Sequence, residues 1–280
     1  MPDEWLAAAR QVNRALRTTY NRGPAFAIRL CDQPFRVTYE ARGNRQGHRL
    51  DRDFPVLRAM ASGKSCVLDV GSNLGMATLV MTTSMAADGR IYAFEGSEYT
   101  CRIARQNLEL NDLEQRVTVV NTLVSERSGE VVDFCWNFDS GGNSMVPGYM
   151  GATYSIQKTT MSLDDFCQRQ DVRPDFVKID VEGAEVSVLK GFVQTMALAA
   201  PSMMVELHNW NAMLVPNVRL ILSLIQPLGY QLIYLPTKTA VANASVFEEL
   251  VSKGRNRCHV ILTRSTADLQ VLGDIDTAAL

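Results

Sequence analysis

The chain has 280 residues, 28 of them basic and 30 acidic, for a formal net charge of −2, and 46% are hydrophobic. That balance describes a globular protein with a sizeable core and excludes a strong electrostatic field for nucleic acid or an anionic membrane. Six scattered cysteines without a CxxC pair fit neither a zinc site nor a small disulfide scaffold, so a reducing, cytoplasmic setting is expected. The start, Met-Pro-Asp-Glu-Trp, lacks a leader pattern, and no apolar stretch is long enough to span a bilayer.

Residues 3 to 19 carry Trp5, Leu6, Ala9, Val12 and Leu16 at helical spacing and predict a short amphipathic helix. Two strand-like fragments, Phe26 to Leu30 and Phe35 to Tyr39, precede a polar Gly/Arg segment and a helix near Pro55 to Ala61. Residues 1–60 therefore read as an accessory segment, serving as a lid or a dimer contact. From Ser65 onward short apolar runs alternate with helical stretches, as in a mostly parallel sheet covered by helices on both faces. Strands are expected at 65–70, 90–95, 116–121, 175–180, 202–207, 230–235 and 257–263. Helices are expected at 75–87, 98–111, 162–169, 184–196 and 217–227. Residues 129–138 read as an extra edge strand and 139–155 as a long loop, solvated by default, whose stretch from Ser140 to Met145 resembles a cover for substrate with Tyr149 and Tyr154 available for contacts. The last two strands, with no helix predicted between them, are expected to pair antiparallel at one edge.

Asp69-Val-Gly71-Ser-Asn-Leu-Gly75 follows an apolar strand and opens a helix, so its glycines sit where a backbone approaches a ligand closely. Asn73 occupies the middle position and a third glycine is missing, which departs from the dinucleotide fingerprint G-x-G-x-x-G. Ile91-Tyr-Ala-Phe-Glu95 ends the next strand with a carboxylate, placed to accept hydrogen bonds from two ribose hydroxyls. A nicotinamide cofactor uses the same acid, so these two features leave the cofactor open.

Lys178-Ile-Asp-Val-Glu-Gly-Ala-Glu185 resembles the hallmark of the FkbM family of class I methyltransferases. The resemblance extends to the 69–75 turn, to Asn107-Leu-Glu-Leu-Asn111, to Thr160-Met-Ser-Leu-Asp-Asp165 and to Val205-Glu-Leu-His208, covering about half the chain in continuous order. It implies a Rossmann-like α/β fold with a seven-stranded, mostly parallel sheet and an antiparallel edge strand, binding S-adenosyl-L-methionine. Asp69, Gly71, Ser72, Asn73 and Gly75 would then line the amino-acid end of the cofactor, Glu95 and Gly96 its ribose, and Asn121 and Thr122 its adenine, with Asp180 also close to it. Methyl transfer to a hydroxyl oxygen is the implied reaction.

A neutral alcohol is a poor nucleophile, so an oxygen acceptor needs help in losing its proton. Asp180 ends the fourth strand and Glu182 lies just beyond it, before a helix whose N-terminal end favours carboxylates. Glu185, inside that helix, reads as a cap or dipole partner. Glu206 and His208 end the fifth strand, and an unperturbed histidine suits proton transfer near neutrality. The candidate catalytic residues are Asp180, Glu182 and His208, with the base left open. Asp180, Glu206 and His208 would also suit a divalent ion, but no metal is predicted. His48 and His259 read as ordinary polar residues, and Lys178 as structural.

The expectation is a methyltransferase domain over residues 61–280 acting on a small-molecule or saccharide hydroxyl, without nucleic-acid or membrane partners and with homo-oligomerisation allowed. The competing readings are a nicotinamide-dependent oxidoreductase and a non-catalytic cofactor-binding module of the same fold.

Overall fold

The computed structural model describes residues 25–43, 52–136, 143–146, 154–251 and 257–277. The predicted helix at 3–19, His48, Tyr149 and most of the 139–155 loop lie outside them. Among the described residues no helix is long and apolar enough to cross a membrane.

The central sheet is built from β3 (Cys66–Val70), β4 (Arg90–Glu95), β5 (Val117–Asn121), β9 (Phe176–Ile179), β10 (Ser202–His208), β11 (Gln231–Tyr234), β12 (Thr239–Ala240) and β13 (Arg257–Thr263). They lie in the order β12-β11-β13-β10-β9-β3-β4-β5. Strands β5, β4, β3, β9 and β10 run parallel, while β13 is antiparallel to both β10 and β11. The seven predicted strands are all present, and two-residue β12 extends the edge. The prediction for the last two strands needs correction in two respects. Helix α9 (Ala244–Leu250) intervenes between them, and β13 inserts between β10 and β11 rather than lying at the edge. Asn243 starts α9 by accepting hydrogen bonds from the Ser245 and Val246 amides, a short-range polar cap that hydrophobic periodicity does not reveal.

The central strands are buried on both faces, which is why they read as apolar runs rather than alternating ones. Leu68, Val70, Phe94, Ile179, Val205 and Leu207 belong to one apolar cluster, and Val67, Ile91, Ala93, Phe176, Met204 and Ile261 to the other. The first includes α5 (Leu163–Gln170), α6 (Glu185–Lys190), α7 (Val193–Ala199) and α8 (Leu214–Ile225), with Phe166 edge-on to Phe94 at 4.7 Å between centroids. The second is covered by α2 (Phe54–Met60) and α3 (Met76–Thr82), with Phe35 and Val37 of the hairpin β1 (Phe26–Leu30) and β2 (Gln33–Val37), and with Ala41 of the short helix α1 (Tyr39–Gly43).

The family-like strings have local jobs. On α4 (Glu98–Glu109), Asn107 accepts from the Thr38 amide and donates to the Leu74 carbonyl, and Asn111 just beyond pairs with both backbone groups of Arg36. These contacts tie the N-terminal hairpin to the glycine turn. Ser162 caps α5 through the Asp165 amide, and Asp164 accepts from the Gln194 and Thr195 amides at the start of α7. Ser265 caps α10 (Thr266–Gly273) in the same way through Asp268.

Two further expectations change. The helix predicted at 184–196 is two helices broken at Gly191, where a Cβ would crowd the carbonyl oxygens of Ser125 and Glu126. The strand predicted at 129–138 is β7 (Val131–Trp136), and it is no edge of the central sheet. It pairs with β8 (Tyr154–Met161), which also pairs with β6 (Leu123–Val124), forming a separate three-stranded sheet. Tyr154, expected in the loop, begins β8.

Candidate active site

The carboxyl ends of β3, β4, β9 and β10 carry two contrasting poles of one site. At the first, Gly71 and Gly75 have φ of +80° and +82°, and a Cβ on Gly71 would overlap the Asp180 carbonyl oxygen. Glycine is required there because the turn passes directly against the end of β9. The Gly71 and Ser72 amides both donate to the Phe94 carbonyl, which holds the turn against β4.

Glu95 is 9% exposed and accepts from the Asn73 amide at 3.1 Å on one oxygen and from the Ser97 amide at 2.8 Å on the other. Burial raises its pKa, partly offset by those two amides. Each oxygen keeps a second acceptor position, as two ribose hydroxyls require. Ser72 is 3% exposed and its hydroxyl has no hydrogen-bond partner, so the turn also holds an unsatisfied buried polar atom. A glycine turn, a paired-acceptor carboxylate and an unsatisfied hydroxyl together fit S-adenosyl-L-methionine.

Other residues expected at this pole have supporting positions. Asp69 is fully buried, hydrogen-bonded to the Thr78 hydroxyl and 3.5 Å from the Lys178 ammonium, so it anchors the turn from below. Gly96 makes room for Leu123 and Phe134, whose side chains a Cβ would meet. The Asn121 amide donates to the Glu95 and Gly96 carbonyls and accepts from Lys158 at 3.0 Å, fixing the strand end that carries Glu95. Asn121 and Thr122 also line a cavity of about 420 Å³ with Lys158 and Arg169, on the β5 side of the molecule.

The second pole is a cluster of charges. His208 is 5% exposed. Its Nδ1 lies 2.9 Å from Glu185, and its Nε2 lies 3.2 Å from Glu182, 3.8 Å from Glu206 and 3.9 Å from Asp180. Burial opposes a charged imidazole, but Glu185, then Asp180 and Glu182, outweigh it and raise the pKa to about 10. The sequence expectation of a histidine titrating near neutrality is corrected: without another cation, His208 carries a proton at neutral pH. Glu182 is held at φ +54° and followed by Gly183 at φ +101°, a tight turn whose Gly183 amide donates to Glu185 at 2.8 Å. From the otherwise remote 143–146 segment, the Ser144 hydroxyl donates to the Glu182 carbonyl at 2.7 Å.

Behind His208 lies a group of residues whose part in the site the sequence reading missed. Glu206 pairs with Arg257 at 3.0 Å and with His259 at 3.4 Å, and Asp53 stands 3.9 Å from His259. Burial would raise the Glu206 pKa, but His259, His208 and Arg257 pull it down to about 2. His259 is therefore not the ordinary polar residue expected; it belongs to this charged network around the buried Glu206. The antiparallel insertion of β13 beside β10 sets His259 opposite Glu206 and Arg257 opposite His208, a register invisible to local pattern. The divalent set considered from sequence also changes. Asp180, Glu182 and His208 bring one donor atom each within 4.8 Å of one another, whereas Glu206 is engaged with Arg257 and His259.

Lys178 connects the poles. Its ammonium donates to the Gly71 carbonyl at 2.7 Å and pairs with Asp180 at 3.3 Å and Asp69 at 3.5 Å. Burial disfavours that charge, but Asp180 and Asp69 outweigh it and hold the ammonium above its ordinary range. The structural role expected for Lys178 is thus exercised inside the site.

A glycine turn and strand-end carboxylate above a parallel sheet with an inserted antiparallel strand define a class I methyltransferase fold. Residues 69–232, more than half of the chain, match the Methyltransferase FkbM domain, and the protein belongs to that family of S-adenosylmethionine-dependent methyltransferases. Membership decides between the two cofactors that Glu95 left open. Among solved structures the chain is similar to a methyltransferase FkbM from Methylobacillus flagellatus KT, at 14% identity and a TM-score of 0.45 over 77% of this chain and 60% of that one. It is also similar to an O-methyltransferase from Bacillus cereus in complex with SAH, at 16% identity and 0.43 over 76% and 79%. A third similar structure is a SAM-dependent O-methyltransferase from Thermotoga maritima, at 14% identity and 0.43 over 89% and 81%. The chain therefore spans about three fifths of the length of the Methylobacillus protein. No curated protein matches it.

Proposed function

We propose that this methyltransferase transfers its methyl group to a hydroxyl oxygen of a small-molecule or saccharide acceptor. The observation that carries this reading is the cluster of Asp180, Glu182 and His208 at the ends of β9 and β10, linked through Lys178 to the glycine turn. S-adenosyl-L-methionine, when bound, supplies an electrophilic methyl group. Gly71 to Gly75 and Glu95 hold the cofactor. Asp180 and Glu182, whose side chains are 28% and 23% exposed, can accept a hydrogen bond from an incoming hydroxyl and take its proton. The His208 charge stabilises those carboxylates and fixes their orientation, and Glu185 fixes His208 in turn. The near balance of charge over the chain favours a small acceptor over nucleic acid.

The test is a panel of hydroxyl, amine and carboxylate acceptors incubated with methyl-labelled S-adenosyl-L-methionine, the product being located by mass spectrometry. A methyl ether is expected, with turnover at least 100-fold lower in Asp180→Asn while cofactor affinity stays within a few-fold. Methylation at nitrogen or carbon, or unchanged turnover in Asp180→Asn and Glu182→Gln, overturns the reading.

A further inference from the structure

We propose that Asp180, Glu182 and His208 form a binding site for one divalent cation, of the Mn²⁺ class, between the cofactor turn and the acceptor. Asp180 directly follows β9, Glu182 sits in the left-handed turn two residues on, and His208 ends β10, so two adjoining segments supply the donors. Two hard carboxylate oxygens and one imidazole nitrogen suit a cation of intermediate hardness. The spacing agrees. Neighbouring donors around a six-coordinate ion with bonds of about 2.1–2.2 Å stand about 3 Å apart, and His208 Nε2 lies 3.2 Å from Glu182 and 3.9 Å from Asp180.

Two observations outside this trio support an ion. Glu185 is fully buried and engages the other ring nitrogen of His208, which leaves Nε2 as the nitrogen directed at the carboxylates. A carboxylate oriented on the far nitrogen is the usual support of a metal-binding histidine. The second Glu185 oxygen is buried and has no hydrogen-bond partner, so the carboxylate that supports His208 is not fully satisfied by the protein. Asp180 and Glu182 are partly exposed whereas His208 is nearly buried, so the remaining coordination positions face solvent and an incoming hydroxyl. An ion there takes the place of the imidazole proton and lowers the pKa of a hydroxyl bound to it. This role at the acceptor oxygen rests on the hydroxyl-methylation reading; the binding site itself does not.

The full chain, stripped with a chelator, is titrated with Mn²⁺ while free Mn²⁺ is followed by electron paramagnetic resonance. One equivalent is expected to bind, with affinity at least tenfold weaker in Glu182→Gln and His208→Gln and unchanged in the exposed control Glu98→Gln. Glu182→Gln alters a partly exposed side chain, so it decides the matter if the buried His208 variant fails to fold. Glu185→Gln is expected to weaken binding about tenfold without removing a ligand. Absence of saturable Mn²⁺ uptake, or equal uptake in wild type and Glu182→Gln, overturns the site. Calorimetry with S-adenosyl-L-methionine on the same samples separates the two readings. Cofactor binding and methyl-ether formation without Mn²⁺ uptake overturn the ion and leave the reaction standing. Mn²⁺ uptake with methylation at nitrogen supports the ion and overturns the hydroxyl acceptor.

Discussion

The two poles of the site are built on opposite principles. The cofactor pole is held by backbone hydrogen bonds: the Asn73 and Ser97 amides on Glu95, and the Gly71 and Ser72 amides on Phe94. The second pole is held by charge, with Glu182, Glu185 and Glu206 within 3.8 Å of one imidazole and Asp180 at 3.9 Å. A backbone-built site is rigid before its ligand arrives, because amides in a packed turn have one arrangement. A charge-built site depends on which protons and cations are present, so its behaviour changes with pH and ionic composition.

Lys178 is where the contrast can be broken most severely. Replacing it with Met leaves Asp69 fully buried without its cation and frees Asp180, and removing one partner of a buried pair typically costs about 3–5 kcal/mol. Thermal unfolding of Lys178→Met should show that loss, and calorimetry should show weaker cofactor binding through the released Gly71 carbonyl. If only the charged pole suffers, the two poles are less coupled than the 2.7 Å bond to Gly71 implies.

Glu95→Gln sharpens the contrast from the other side. It keeps the shape but loses the charge-assisted acceptor, so cofactor affinity should fall about 10- to 100-fold, or about 1.4–2.8 kcal/mol. The melting temperature without cofactor should hardly fall, because ionised Glu95 is disfavoured by its burial. A large fall in stability would show that the carboxylate serves the fold rather than the ligand.

The smallest effect lies at the rim of the charged pole. Burial raises Asp53 to about 6, against the pull of His259 and Lys178 and with the repulsion of Glu206. An acid whose folded pKa is raised above its unfolded value of 3.8 favours the folded state most while protonated. That contribution is therefore lost as pH rises from about 4 through about 6. Melting temperatures measured from pH 4 to 7 should fall by a few degrees more in wild type than in Asp53→Asn. Parallel curves would remove Asp53 from the charged network around Glu206.

Much of this protein is legible from local pattern. Seven of the eight strands of the central sheet, the glycine turn and the strand-end acids Glu95, Asp180 and Glu206 are short-range features, set by apolar runs and by the φ that Gly71 and Gly75 require. The string from Lys178 to Glu185 is local too, which is why the family could be read from it. Tertiary structure alone decided what the charges do. His259, Arg257 and Asp53 reach the site because β13 inserts antiparallel beside β10 and α2 packs beneath, and no periodicity encodes that register. Without another cation His208 is a charged centre rather than a neutral base, because Asp180, Glu182 and Glu185 of the segment after β9 are brought against β10, which carries Glu206 and His208 itself, and a pKa depends on distance in space, not along the chain.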